Sequence, residues 1–373
     1  MGQHFPFMVV GAGGAGAAAA YHLARRGLKP LLIEQFRVGH DRGSSFGHSR
    51  IFRLAYDEPE YAGLALEALP AWRALEQEVN MPLYTRTGGL DLGPSGTPTL
   101  TQTLAALERI GAVAESLTRA ELQRRFPQWH VPDDWAAVYA PEAGIVNPTQ
   151  TVELLCALTN AHGGQVLENT RVDGIDLGKQ PSIHTDAGSF TCDRLVVTAG
   201  AWTAKLFPEL QEWLTPTLAA TTFYRPLEPQ AFTPQEFPIF ITHDEFQAYG
   251  FPSFGLPGVK IGVDVSRPVV DADLRPFDVP GDAAQASDEF MRRYLPDAAG
   301  SVMPRQTCLI TRAPTTDFLM AAHPQCEQVI VASPCSGHGF KFVPLLGEIL
   351  AAKALGEAHP WDLPRFGFPA RFS

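Results

Sequence analysis

The chain has 373 residues, 45% hydrophobic and 18% charged, which allows two domains or one large interleaved pair around a sizeable core. Its 29 Lys and Arg against 40 Asp and Glu give a formal charge of -11, with no basic run, so nucleic acid and anionic membranes are not expected partners. No segment reaches the roughly 20 apolar residues of a membrane helix.

The apolar stretch from Phe7 to Ala20 lacks the basic start of a signal peptide. Gly2 is followed by Pro6 where a myristoylation signal needs Ser or Thr. The five cysteines (Cys156, Cys192, Cys308, Cys326 and Cys335) are irregularly spaced and form no CxxC pair. That argues against a zinc site and a disulfide framework, and for a reducing cytoplasm.

In chain order, Phe7 to Val10 reads as a buried strand, Ala15 to Arg26 as a helix ended by Gly27, and Pro30 to Glu34 as a second strand. Helices are predicted over 60–78, 99–110, 119–126 and 148–162, then short strands over 165–169 and 171–176. Arg194 to Thr198 is a compact buried strand leading into Ala199-Gly200-Ala201-Trp202. From about 215 to 264 the sequence turns rich in Phe, Pro and Thr with alternating patches, which predicts an antiparallel sheet. Val329 to Ala332 is again a buried strand, and Leu345 to Leu355 a helix.

Dinucleotide-domain signals thus occur at the start, near 195 and at the end. The predicted fold is α/β (α+β overall), with a Rossmann-like cofactor domain, discontinuous in sequence, and an inserted antiparallel-sheet substrate domain. The expected segments are 1–85, 146–212 and 305–373 for the cofactor domain, and 86–145 and 213–304 for the substrate domain.

The fingerprint is Gly11-Ala12-Gly13-Gly14-Ala15-Gly16, between a strand and a helix. Gly11 permits the tight turn, Gly13 lets backbone approach a pyrophosphate, and Gly16 lets helix and strand pack closely. The helix N-terminus, with Gly14 and Ala15, then faces the phosphates. Glu34 ends the second strand, where a carboxylate accepts hydrogen bonds from a ribose. This pattern does not separate NAD from FAD.

Three further stretches do. Gly43-Ser44-Ser45-Phe46-Gly47-His48-Ser49-Arg50-Ile51-Phe52-Arg53 resembles the segment after the second strand in the monomeric sarcosine oxidase and N-methyltryptophan oxidase family. Tyr249 to Gly255 and Val259-Lys260-Ile261-Gly262 resemble its substrate-domain strands. Thr307-Cys308 and Ser336-Gly337-His338-Gly339-Phe340-Lys341-Phe342 resemble its C-terminal cofactor segment. The resemblance spans nearly the whole chain. It implies an FAD enzyme that oxidises a secondary amino acid, uses dioxygen, releases hydrogen peroxide and works as a monomer.

Carried over residue by residue, the resemblance implies that Cys308 is covalently linked to FAD; its thiolate can attack a flavin ring methyl. Arg53 and Lys341 resemble the pair that binds the substrate carboxylate, where a guanidinium offers a bidentate fork and an ammonium a point charge. Lys260 resembles the lysine that activates dioxygen; the plain alternative is an edge-strand lysine facing water. Arg50 resembles the arginine that flanks the flavin ring. Thr198 to Trp202, including Gly200 and Trp202, resembles a second FAD-contacting stretch, and Val172 a residue whose backbone meets the adenine. Tyr249 belongs to the substrate side. His338 is expected in a turn near the flavin without a catalytic role.

The sequence departs from that pattern at three places. Phe46 and Asp264 stand where relatives carry histidines, and Ile310 where they carry a pocket tyrosine. The reaction class is therefore expected to hold while the amine side of the pocket is remodelled. A bulkier or cyclic secondary amino acid is expected rather than sarcosine. If Asp264 faces the substrate, it could pair with a cationic side chain. Other readings stay open: a dehydrogenase of the same fold with a quinone or carrier acceptor, a deaminating oxidase of primary amino acids, and a flavin-binding partner subunit.

Overall fold

The computed structural model describes residues 3–369. Gly2, Met1 and the terminal 370–373, at the outer ends of the expected cofactor-domain segments, lie outside the described residues. Two eight-stranded sheets and one three-stranded sheet organise the chain.

The first sheet is built on the strand Gln3–Val10, which pairs in parallel with Leu31–Ile33 on one side and Gly188–Val197 on the other. Leu31–Ile33 pairs in parallel with Gln165–Leu167, and Cys326–Ser333 pairs in parallel with the C-terminal half of Gly188–Val197. Where the four central strands pair, over 8–10, 31–33, 195–197 and 329–331, every residue is apolar and buried, because both faces are covered there as parallel sheets require. Helix Gly14–Arg25 packs against helices Pro148–Ala161 and Val343–Leu355. Its alanines leave the surface smooth, and Gly347 sits where a Cβ would meet the Ala18 backbone at 2.6 Å. Helix Pro148–Ala161 begins as its sequence demands: the Asn147 side chain accepts the Gln150 N–H at 3.2 Å, and Pro148 fills the first turn.

The second sheet runs in the order Val302–Arg312, Thr215–Tyr224, Val259–Gly262, Tyr249–Phe251, Ile239–Thr242, Gly89–Pro94, Trp135–Ala140, Glu115–Thr118. All its pairings are antiparallel except Ile239–Thr242 with Gly89–Pro94. Helix Gly281–Tyr294, absent from the sequence reading, buries Phe290, Met291 and Tyr294 in this sheet's core. The small third sheet joins Arg50–Phe52, Gly144–Val146 and Tyr84–Arg86.

Strand pairing corrects the expected boundaries. Residue 305 falls inside the strand Val302–Arg312, which pairs along its length with Thr215–Tyr224. Cys308 is therefore on the second sheet, not on the first, where the expected boundaries put it. The boundary at 146 likewise cuts the strand Gly144–Val146. Among the described residues no helix is long and apolar enough to cross a membrane.

Candidate active site

One cavity of about 770 Å³ lies between the two large sheets. Every residue proposed from the sequence lines it except Gly16. At one end are Gly11, Gly13, Gly14, Ala15, Glu34, Val172, Gly200 and Trp202, all carried by the first sheet, its connections and the opening helix. Elsewhere the walls carry Ser44, Phe46, Arg50, Arg53, Tyr249, Lys260, Asp264, Cys308, Ile310, Gly337, His338, Gly339, Phe340 and Lys341.

The glycine turn is closed against the sheet. Gly11 has φ +94°, and a Cβ there would lie 2.6 Å from the Thr198 carbonyl oxygen. Gly16 faces away from the cavity, where a Cβ would collide with the Gly11 oxygen and Thr198 Oγ1. Its role is the close helix–strand contact anticipated from the motif. The helix N-terminus lines the cavity, where the Gly14 N–H donates to Ser45 Oγ at 3.1 Å. Glu34 accepts the Ala12 N–H at 2.8 Å and the Phe36 N–H at 3.0 Å. Burial raises its pKa above the ordinary carboxylate value, against the lowering effect of those N–H donors. A cradle of small residues, a helix N-terminus and a buried carboxylate fit a dinucleotide such as FAD.

Lys260 is on an interior strand, with Thr215–Tyr224 on one side and Tyr249–Phe251 on the other. The edge-strand alternative is thus excluded. Its ammonium donates to Ser49 O at 3.3 Å and Ser49 Oγ at 3.2 Å, and stands 4.9 Å from the centre of the Phe251 ring. Burial, with repulsion from Arg50, brings its pKa down to about 7. Arg50 is fixed by donating to Ser49 O and Ser44 O, each at 2.8 Å. The Ser44 hydroxyl in turn donates to Leu309 O, which stitches this loop to the strand bearing Cys308. Cys308 is half-buried, and all five cysteines are free thiols.

Lys341 is buried in the single turn Phe340–Phe342. Its ammonium donates to the Tyr56 hydroxyl and to His338 O, both at 2.8 Å. The partners assign the rest of the chain: His338 Nε2–H donates to Thr316 O at 3.1 Å, so Nδ1 accepts from the Tyr56 hydroxyl at 3.1 Å. Burial and the nearby Lys341 hold the His338 pKa down to about 3, so the imidazole is neutral near pH 7. His338 therefore positions Lys341 through Tyr56. Burial and Arg53 also lower the Lys341 pKa well below the usual lysine value.

Arg53 follows the strand Arg50–Phe52, packs its guanidinium 5.0 Å from the centre of the Tyr56 ring, and donates to Asp91 Oδ1 at 3.0 Å. His243 Nε2 approaches the same oxygen at 3.0 Å. Tyr56, Asp91 and His243 were not singled out in the sequence. Burial pushes the Tyr249 hydroxyl up to about 12.

Asp264 differs from the expectation attached to it. Its Oδ1 is in contact with Arg267 Nε, and its Oδ2 accepts from Arg312 Nη2 at 3.3 Å. Two guanidiniums hold this carboxylate, so it is not free for a cationic substrate group. Arg267, also missed in the sequence, lines the cavity too.

Known proteins resemble this chain in sequence and fold over nearly its whole length. The model of the family described as FAD dependent oxidoreductase (DAO) matches residues 7–353. Monomeric sarcosine oxidase of Bacillus sp. (strain B-0618) is 34% identical, over 98% of this chain and 96% of that one. N-methyl-L-tryptophan oxidase of Yersinia pestis (strain Pestoides F) is 29% identical over 99% of each. The solved structure of NikD, an unusual amino acid oxidase essential for nikkomycin biosynthesis, superposes with a TM-score of 0.87 at 25% identity, covering 98% of this chain and 97% of that one. A glycine-turn cradle, a buried carboxylate beside it and a family match over nearly the whole length lead to one assignment: the chain belongs to the FAD-dependent oxidoreductase (DAO) family.

Proposed function

We propose that this FAD-dependent oxidoreductase oxidises a secondary α-amino acid to its imine and passes the electrons to dioxygen. The observation that carries the proposal is the meeting of Arg53, Lys341 and Lys260 on the walls of one cavity with the glycine cradle. The chemistry FAD supplies when bound is two-electron oxidation of the C–N bond and reduction of dioxygen to hydrogen peroxide.

The protein supplies position and charge. Arg53 and Lys341 hold the substrate carboxylate, the first by its fork and the second as a point charge. Asp91 and the Tyr56–His338 pair keep these two cations in place. The amine has to be neutral to lose electrons, and cations around a partly desolvated site favour loss of its ammonium proton. The C–N bond gives up two electrons and two protons and becomes C=N. Dioxygen takes up two of each. Water then cleaves an open-chain imine to a carbonyl compound and an amine. Lys260 supplies a fixed positive charge where negative charge develops on dioxygen. Cys308, half-buried on the cavity wall, is the proposed point of covalent attachment. Phe46 and Ile310 make the amine side apolar, which suits a substrate larger than sarcosine.

The test is an anaerobic titration of the yellow protein with sarcosine, several N-methyl amino acids, pipecolate, proline and primary amino acids, followed by air. Bleaching by a secondary amino acid and rapid recovery with one peroxide per turnover is the expected result. Slow recovery in air would instead indicate a dehydrogenase with another acceptor, and bleaching by primary amino acids alone a deaminating oxidase.

A further inference from the structure

The cavity wall beside Ile310 carries more positive charge than the α-carboxylate clamp requires. Arg267 and Arg312 share the single carboxylate of Asp264, which leaves one net positive charge in the cluster. The Arg267 side chain is 15% exposed, and its contact with Asp264 uses Nε. Nη1 and Nη2 have no hydrogen-bond partner among the described residues. Nη1 lies 3.6 Å from where a Cβ on Gly337 would be, and the Ile310 side chain is 3.7 Å from the same point. Neither neighbour offers a side-chain acceptor. The fork is thus aimed by Asp264 and left open towards the cavity.

The strand Val302–Arg312 explains the spacing. Cys308, Ile310 and Arg312 alternate with the buried Thr307, Leu309 and Thr311, so the three share one face. Each step of two residues advances about 7 Å along a strand. Ile310, which meets Arg267 beside Gly337, is therefore about 7 Å along the strand from the proposed flavin attachment point, while Arg312 is about twice as far and supports Arg267 from behind through Asp264. A neutral substrate would leave the fork without an acceptor, and a cationic one would meet net positive charge.

We propose that Arg267, aimed by Asp264 and reinforced by Arg312, is a specificity-determining residue that binds a second anionic group, so that the preferred substrate is a dicarboxylic secondary amino acid. This rests on the oxidation reading above and reverses the charge first expected of the Asp264 side. The second carboxylate belongs either to the amino acid side chain or to the substituent on nitrogen; the chemistry recognised is the same.

The experiment titrates the flavin-loaded enzyme with two thioethers, which have no nitrogen and cannot form an imine. (Methylthio)acetate carries one carboxylate and thiodiacetate two. Dissociation constants are read from the perturbed flavin absorbance at low ionic strength. Thiodiacetate is expected to bind at least about tenfold more tightly, the worth of one charge-assisted contact. Arg267→Met should bring the ratio of the two constants to within about twofold of one, and Arg312→Met, removing a more exposed partner, should reduce it partly. Equal affinities in the unaltered enzyme overturn the proposal, as does an equal loss for both ligands in Arg267→Met. Should Arg267→Met not fold, Arg312→Met and the salt dependence of the ratio decide in its place, and a ratio unmoved by either overturns the proposal.

Turnover of N-methyl-L-aspartate against iminodiacetate then tells side chain from nitrogen substituent. Preference for thiodiacetate with no amino acid oxidised would retain the anion site and remove the oxidation reading. Oxidation of neutral N-methyl amino acids with equal thioether binding would do the reverse.

Discussion

Arg53 and Asp91 form a partly buried pair at 3.0 Å, so the guanidinium proposed to hold the substrate carboxylate already has one carboxylate partner. Asp91 accepts from a cation on one side and lies against His243 on the other, and it is only 5% exposed. The pair fixes the direction of the Arg53 fork. Asp91→Ala is expected to lower kcat/KM by about 10–100-fold, mainly through KM, the worth of one hydrogen bond to a charged group. Asp91→Asn, which keeps an acceptor, should recover part of that loss. Steady-state kinetics on the substrate found by the panel checks this; an unchanged KM in Asp91→Ala would remove the positioning role.

Lys341 gives a pH prediction with a definite sign. Its pKa in the unliganded protein is lowered by burial and Arg53, and a bound carboxylate raises it again. Binding therefore takes up a proton, and affinity for a carboxylate ligand falls as pH rises between the two values. Calorimetry of (methylthio)acetate binding in buffers of different ionisation enthalpy should show this uptake at a pH below the ordinary lysine range. Lys341→Met should abolish it. Tyr56→Phe, which removes an acceptor from the buried ammonium, should displace the pH profile to lower pH.

The role proposed for Lys260 is in the other half of the reaction. With a pKa of about 7 it is charged below that pH and loses its charge above it. Recovery of the oxidised absorbance in air is expected to slow as pH rises through the lysine's titration. Lys260→Met should slow that recovery by about 10²–10³-fold, as loss of a fixed charge at a developing anion does, and remove this pH dependence. Bleaching by substrate in the absence of air should change far less. Stopped-flow absorbance separates the two steps, and equal slowing of both would contradict the assignment.

Cys308→Ala should leave all flavin in the supernatant after acid precipitation, while the unaltered protein retains it in the pellet. Cys335 also lines the cavity and serves as the control. Flavin lost from the pellet in Cys335→Ala instead would move the attachment point.

The cofactor end was legible because its parts are local. Gly11 to Gly16 and Glu34 lie within one strand–helix–strand unit, and the Glu34–Ala12 bond spans only 22 residues. The supports of the clamp were not, because each joins residues far apart in sequence. Arg53 and Asp91 are separated by 38 residues, Asp91 and His243 by 152, and Tyr56 and His338 by 282. No periodicity announces such pairs.

The strand Val302–Arg312 was missed for another reason. Its polar residues break the apolar alternation, each for a long-range reason: Arg305 pairs with Asp288 of the helix Gly281–Tyr294, Gln306 lines the cavity, and Arg312 pairs with Asp264. Helix Gly281–Tyr294 did carry a readable signal: its buried Ala283, Ser287, Phe290, Met291 and Tyr294 fall at i, i+4, i+7, i+8 and i+11, one face of a helix. The charge of the Asp264 side was misjudged because its neutralising arginines sit on a loop and on another strand.

The placement of Cys308 on the second sheet gives a covalent flavin a mechanical meaning. The cradle that receives the dinucleotide is on the first sheet, while the attachment point is on the second. A bond at Cys308 would make the cofactor a strut between two separately built halves, anchored chemically at one end and by hydrogen bonds at the other. Like a disulfide across a long loop, such a strut limits how far the halves part when the protein loosens, and its stabilising effect lies largely in the unfolded chain. Parting of the sheets would then leave the flavin attached to the strand that also carries Ile310 and Arg312.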